Sequence, residues 1–177
     1  MNEPGFYIDI FLQPGDFYFG DRDTRIRTIL GSCVAITIWH PKKHIGGMCH
    51  YMLPSHTKHS RHTRHNHHGH HDHNPHELDG RYAEDVIHMF LREIKKAGTK
   101  VSDFQVKIFG GGNQFPDQVK KVFSVPDKNM EIGRRLLHQH GFVISTEHMG
   151  GNGRRNIMFD LWSGDVWVQH VETVISS

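Results

Sequence analysis

At 177 residues, with 21 basic against 19 acidic side chains and a net charge of +2, the chain suffices for one domain with a substantial core. It carries no charge excess that would make nucleic acid or a membrane surface its main partner. Two cysteines are far too few for a disulfide framework and fit a reducing cytoplasm. The start, Met1-Asn2-Glu3-Pro4-Gly5, lacks a basic n-region and an apolar h-region, and no apolar run nears the length of a membrane span. A soluble, unsecreted, cytoplasmic protein without membrane insertion is the expectation.

In chain order, residues 6–12 and 16–19 read as short strands separated by the turn signal Gln13-Pro14-Gly15. Residues 34–39 are β-branched or apolar and residues 45–53 mostly apolar, with His40-Pro41-Lys42-Lys43 between them as a hairpin turn. In that register Trp39 faces His44, and counting back sets Cys33 opposite His50 with Cβ atoms roughly 4.5–5.5 Å apart. A one-residue slip would send the two side chains to opposite faces.

Ten histidines lie between positions 56 and 76, the first four, His56, His59, His62 and His65, three residues apart. Imidazoles at that density suit Zn²⁺ or Ni²⁺. The stretch is nevertheless polar, has no fixed ligand pattern and cannot bury apolar area to offset its ordering entropy. The expectation is a single domain over 1–177 with a largely disordered histidine-rich insert at 55–77, and no metal is assigned to it.

Beyond the insert, Ala83, Ile87, Phe90, Ile94 and Ala97 recur at helical spacing, Lys95 and Lys96 sit in the last turn and Gly98 just past it, which predicts a helix over 81–97. Phe104, Val106 and Ile108 alternate with polar neighbours into Gly110-Gly111-Gly112, the pattern of a strand. A second helix is expected from about 130 to 140, with Asn129 as N-cap and Gly141 as stop. Residues 142–146 alternate as a strand, and 156–162 and 166–171 flank the hairpin signal Ser163-Gly164-Asp165. Many strands with two helices make an α+β layered domain.

The chemistry resides in Cys33 and His50. A free thiol with a pKa of about 8.5 is only a few per cent thiolate at neutral pH, while a neighbouring imidazole can lower that pKa by several units and so arm the cysteine to attack carbonyl carbon. The opposing interpretation makes Cys33 a small buried apolar residue and His50 a hydrogen-bonded strand histidine.

Leu30-Gly31-Ser32-Cys33-Val34-Ala35, Gly46-Gly47-Met48-Cys49-His50 followed by Met52-Leu53-Pro54, and Lys107-Ile108-Phe109-Gly110-Gly111-Gly112 together resemble the chemoreceptor glutamine deamidases, the CheD family. Glu131-Ile132-Gly133-Arg134-Arg135 and Gly150-Gly151-Asn152 extend the resemblance, which runs from about 6 to 171 with one interruption at about 55–77. It implies stacked β layers with two main helices packed on one side. It also implies a cysteine hydrolase that converts glutamine side chains on the cytoplasmic helices of bacterial chemoreceptors to glutamate with release of ammonia, in some members hydrolysing glutamyl methyl esters too. No metal or organic cofactor is implied. Members also bind CheC-type phosphatases, so the alternative is a non-catalytic chemotaxis regulator acting by contact. Carried over, the nucleophile falls on Cys33 and the general base on His50. The family threonine six positions before the cysteine falls on Arg27, and Thr28 is taken as its substitute. Strand neighbours point to opposite faces, so either a bulge turns Thr28 inward or another group fills the third role.

The glycine clusters at 110–112 and 150–153 lack the lysine of a phosphate loop and the context of a dinucleotide site, so positive-φ turns or bulges at strand ends are expected there. In the hairpin Cys49 points away from His50, which favours packing. Trp162 and Trp167 are expected to pack in the core or across strands.

Overall fold

The structure, a computed structural model, describes residues 3–56, 77–114 and 124–173. The expectation for the histidine-rich insert falls almost wholly on residues 57–76, outside the described residues. The described strands are β1 (Ile8–Leu12), β2 (Phe17–Gly20), β3 (Thr24–Leu30), β4 (Val34–His40), β5 (Ile45–Cys49), β6 (Gln105–Gly110), β7 (Ile144–Met149), β8 (Arg154–Asp160) and β9 (Asp165–Val171). The helices are α1 (Ala83–Lys96) and α2 (Val125–Gln139). Four strands pair in the order β1-β3-β8-β9 and five in the order β2-β5-β4-β6-β7. This is the expected α+β sandwich.

Two apolar layers hold the molecule together. Leu12, Ile26, Leu30, Ala35, Met48, Phe109, Ile157 and Phe159 meet between the two sheets. Val34, Ile36, Ile38, Cys49, Tyr51, Val86, Ile87, Phe90, Ile108, Ile132 and Leu137 fill the space between the five-stranded sheet and the helices. Strands β4 and β6 are therefore covered on both faces, which explains why Val34-Ala35-Ile36-Thr37-Ile38 is buried without interruption whereas β9 alternates at every residue. Helix α1 buries Ala83, Val86, Ile87, Met89, Phe90 and Ile94 on one stripe and ends at Gly98, whose φ of 64° suits glycine.

The hairpin register differs from the expected one. His40 continues β4 and pairs with Ile45, so the loop is Pro41-Lys42-Lys43-His44 and Trp39 faces Gly46. The His40 ring closes that loop by accepting the Lys42 and Lys43 N–H groups at Nδ1, 3.2 and 3.3 Å away, and His44 takes a φ of 51°. The pairing runs on to a Val34–Tyr51 bridge, which sets His50 opposite Ala35 rather than Cys33. The offset is two residues, so Cys33 and His50 still share a sheet face, as diagonal rather than direct neighbours.

Helix α2 begins five residues earlier than the apolar spacing indicates. Ser124 is its N-cap, with Pro126 and Asp127 in the first turn, and Asn129 lies inside the helix, fully buried. The first turn faces solvent, as the half-exposed Val125 does, so no apolar period announces it. Strand β3, which the sequence reading did not list as an element, carries a period-2 pattern in which Thr24, Ile26, Thr28 and Leu30 are buried and Arg27 and Ile29 exposed. Trp162 is core, whereas Trp167 opposes Met158 on the outer face of the four-stranded sheet and is 59% exposed.

Gly110 occupies the end of β6 at φ 117°, and a Cβ there would lie 2.2 Å from the Cys33 carbonyl oxygen. Gly110→Ala should cost more than about 2 kcal/mol through backbone strain and displacement of the Cys33 link, as read by urea denaturation.

Candidate active site

The chain changes sheet at four places, and three of them lie at one end of the sandwich: between β1 and β2, between β3 and β4 through Gly31-Ser32-Cys33, and between β7 and β8. Gly111 and Gly112 N–H groups donate to the Cys33 and Gly31 carbonyls at 2.8 and 2.9 Å, Gly150 N–H donates to the Gly110 carbonyl, and Asn113 N–H to the Gly151 carbonyl. Gly110, Gly111, Gly150, Gly151 and Gly153 all have positive φ, so the two glycine clusters are the expected strand-end turns. Their N–H groups at 111, 112, 150 and 153 donate to protein carbonyls.

Thr28 points into the space between the sheets without any bulge, because β3 alternates regularly and it is Arg27 that faces out, paired with Asp9 at 2.8 Å. Thr28 Oγ1 lies 2.9 Å from the Leu12 carbonyl and 2.8 Å from His50 Nδ1. A hydroxyl has one proton. Two acceptors at hydrogen-bond distance cannot share it, so the hydroxyl donates to the Leu12 carbonyl and accepts from His50. His50 therefore carries its proton on Nδ1 and presents the lone pair of Nε2, an atom that is buried and has no hydrogen-bond partner among the described residues.

The backbone of His50 is held from both sides by the turn after β1: Gly15 N–H donates to its carbonyl at 2.7 Å, and its own N–H donates to the Asp16 carbonyl at 3.0 Å. Burial pushes its pKa down to about 4, against the pull of the Asp16 carboxylate in the other direction. At neutral pH the ring is uncharged, the form a general base needs.

Cys33 is partly buried against the layer between the sheets, the layer that also takes Ala35 and Met48. Burial raises its pKa, with the Ser32 side chain pulling the other way, and no hydrogen bond joins its thiol to His50. The resting pair is a neutral thiol and a neutral imidazole on one face, rather than a preformed ion pair. Neither the Ser32 nor the Cys33 N–H, both beside the thiol, donates to a backbone carbonyl among the described residues. Cys49 lies on the other face, fully buried among helix-packing residues, with Ile36 N–H donating to its Sγ at 3.4 Å and its pKa pushed up to about 12. That thiol is inert packing.

Two buried polar residues at this end were not assigned to the site from the sequence. Arg155 on β8 is 2% exposed, its Nε donates to His148 Nδ1 at 2.8 Å, another guanidinium nitrogen donates to the Gly150 carbonyl, and Nη1 has no partner among the described residues. Asn129 reaches the Met52 and Ser32 carbonyls from α2. Arg155 sits in the regular period of β8, where an arginine at an inward position is the available signal; Asn129 was masked by its assignment as a helix cap.

The layered α+β sandwich thus brings a thiol, an imidazole and a hydroxyl to one end. Comparison with known proteins puts the chain in a family. A family model described as CheD chemotactic sensory transduction matches residues 52–170. A protein of Dechloromonas aromatica named probable chemoreceptor glutamine deamidase CheD 3 is 42% identical over 90% of this chain and 86% of its own length. A Pseudomonas syringae pv. tomato protein named probable chemoreceptor glutamine deamidase CheD is also 42% identical, over 96% of this chain and 94% of its own. The chain belongs to the CheD family. Among solved structures, it is similar to the Bacillus licheniformis hypothetical protein YfiH with a TM-score of 0.43 and 15% identity, covering 75% of this chain and 49% of that one.

His50 should remain neutral with its proton on Nδ1 down to a pH of about 4. Ring ¹⁵N chemical shifts followed over a titration check both statements; a midpoint near the ordinary value of about 6.5 would contradict the burial argument. Because the folded pKa lies below the unfolded one, this group favours unfolding as pH falls from about 6.5 towards 4 and contributes no such term at neutral pH.

Proposed function

We propose that this protein is a cysteine-dependent amidohydrolase that converts glutamine side chains of bacterial chemoreceptors to glutamate. The observation that carries the proposal is the Leu12–Thr28–His50 relay, which leaves Nε2 as a free base on the face that Cys33 shares. Family membership supplies the substrate class, through the names of the curated relatives.

The steps follow from the protonation states. As Cys33 Sγ attacks the side-chain carbonyl carbon, His50 Nε2 takes the thiol proton and becomes a cation whose Nδ1–H stays on Thr28. The oxygen of the tetrahedral intermediate is stabilised by the Ser32 and Cys33 N–H groups, which no backbone carbonyl among the described residues takes. The imidazolium then returns its proton to the departing amide nitrogen, and ammonia leaves behind a thioester. Water, deprotonated by the same Nε2, attacks that thioester and releases glutamate and the thiol. A glutamyl methyl ester offers the same carbonyl with methanol as leaving group, so it enters the same cycle. No step calls for a cofactor.

The expected setting is the cytoplasm, where receptor helices are reachable; no helix among the described residues is long and apolar enough to cross a membrane. A CheC-type phosphatase is the expected protein partner. The contact-only alternative separates cleanly: a Cys33→Ala protein that retains the full effect on signalling would act by binding alone.

Receptor incubated with the protein should show a rise of about 1 Da at particular glutamines by mass spectrometry, the change that replacing amide by carboxylate produces. Cys33→Ala and His50→Ala should each abolish it, Cys49→Ala should leave it intact, and Thr28→Val should lower turnover more than about ten-fold because the base loses its orientation. Arg27→Thr should change little. Unaltered turnover in Cys33→Ala or His50→Ala would remove the mechanism.

A further inference from the structure

The proposed nucleophile and base flank the end of the β4–β5 ladder, where Val34 and Tyr51 exchange two backbone hydrogen bonds of 3.0 Å. Cys33 lies just before that bridge and His50 just on the other side of it. Both side chains therefore depend on what holds the backbone at 32–33 and 50–52. On one side the turn after β1 fixes His50. On the helix side one of the described residues reaches both segments. Asn129 Nδ2 donates to the Met52 carbonyl at 2.9 Å and points to the Ser32 carbonyl at 3.4 Å, while its own backbone carbonyl accepts the Tyr51 hydroxyl at 2.6 Å.

Resting on the Cys33–His50 reading above, we infer that Asn129 is a positioning residue which sets the distance and orientation of the nucleophile relative to the base. One carboxamide nitrogen with two hydrogens spans the residue before the nucleophile and the second residue after the base. An ionised aspartate has no hydrogen to give and would repel both carbonyls, and alanine reaches neither. The approach of α2 that makes this possible is itself enforced: at Gly133, one turn on, a Cβ would stand 2.3 Å from the Tyr51 hydroxyl oxygen. The other half of the carboxamide supports a role beyond stapling. Asn129 is completely buried, yet its Oδ1 has no partner among the described residues, an expense that packing alone would remove by substituting an apolar side chain. It is retained where the Nδ2 contacts determine the geometry of the reacting pair.

The test reads the Cys33 thiol directly, without receptor. Iodoacetamide labelling of Cys33, followed by peptide mass spectrometry across a pH range of about 5 to 9, is compared in the wild type, His50→Ala, Asn129→Ala, Asn129→Asp and Tyr51→Phe. Wild type should label about ten-fold faster at neutral pH than His50→Ala, and Asn129→Ala should fall to the His50→Ala rate and pH profile while melting cooperatively. Asn129→Asp should be as slow at neutral pH and recover as acid protonates the carboxyl and restores a donor. With receptor, the Asn129 variants should lose about ten- to a hundred-fold in kcat with KM little changed. A wild type no faster than His50→Ala would overturn the Cys33–His50 reading and this inference with it. An activated wild type matched by Asn129→Ala would overturn the Asn129 role alone. If neither Asn129 variant folds, Tyr51→Phe removes one hydrogen bond of the same clamp and should slow labelling about three-fold; an unchanged rate in that variant overturns the role.

Discussion

One proton on one hydroxyl organises the functional end of this protein. Thr28 belongs to the four-stranded sheet and His50 follows the last residue of β5 in the five-stranded sheet, so the contact between them is also a contact between layers. What forces its direction is Leu12, the last residue of β1, whose parallel pairing with β3 sets it alongside Thr28. Without that carbonyl the hydroxyl could donate to the imidazole, the ring proton would move to the other nitrogen, and the free face of His50 would be a donor instead of a base. Tautomer, and hence chemistry, is written into strand pairing.

Burial then selects the charge state. The same desolvation that holds His50 neutral raises the thiol of Cys33, so the two groups rest uncharged, and in the proposed reaction they gain charge together during attack. This differs from the activation expected from the sequence, where a neighbouring imidazole lowers the thiol pKa in advance. The difference has a structural cause: the two are diagonal neighbours across the ladder rather than direct partners, His50 is buried, and Cys33 packs against an apolar layer containing Leu12, Leu30, Ala35 and Met48.

What the sequence made legible was whatever depends on period and parity. Helix α1, the strands around β4 to β6, the terminal hairpin and the layered class all follow from side-chain alternation or helical spacing, and the structure has them. The shared face of Cys33 and His50 survived a wrong register because the error was even. What was illegible depends on single contacts. The hairpin loop is displaced because the His40 ring bonds two backbone N–H groups, which composition does not reveal. Thr28 seemed to need a bulge because the family position was matched to Arg27, whereas β3 simply alternates with Thr28 inward and Arg27 paired to Asp9 outside. Asn129 looks like a cap in sequence and is a buried tether in space, since the true cap is Ser124.

The position of Cys33 on the link between β3 and β4, rather than within either, is the remaining constraint. Inside a paired strand the N–H beside the thiol would be committed to a neighbouring strand, and a developing oxyanion would find no donor. On a link that passes between sheets, the Gly31 and Cys33 carbonyls are taken by the Gly112 and Gly111 N–H groups, yet the Ser32 and Cys33 N–H groups remain unclaimed by backbone carbonyls of the described residues. The link is thus fixed through its acceptors and open through its donors. A tetrahedral intermediate requires that division, because a loop immobilised through its N–H groups would be equally rigid and have nothing left to offer the charge. Gly110 follows from the same requirement: only a backbone without Cβ can lie this close to the Cys33 carbonyl while the next N–H, that of Gly111, anchors it.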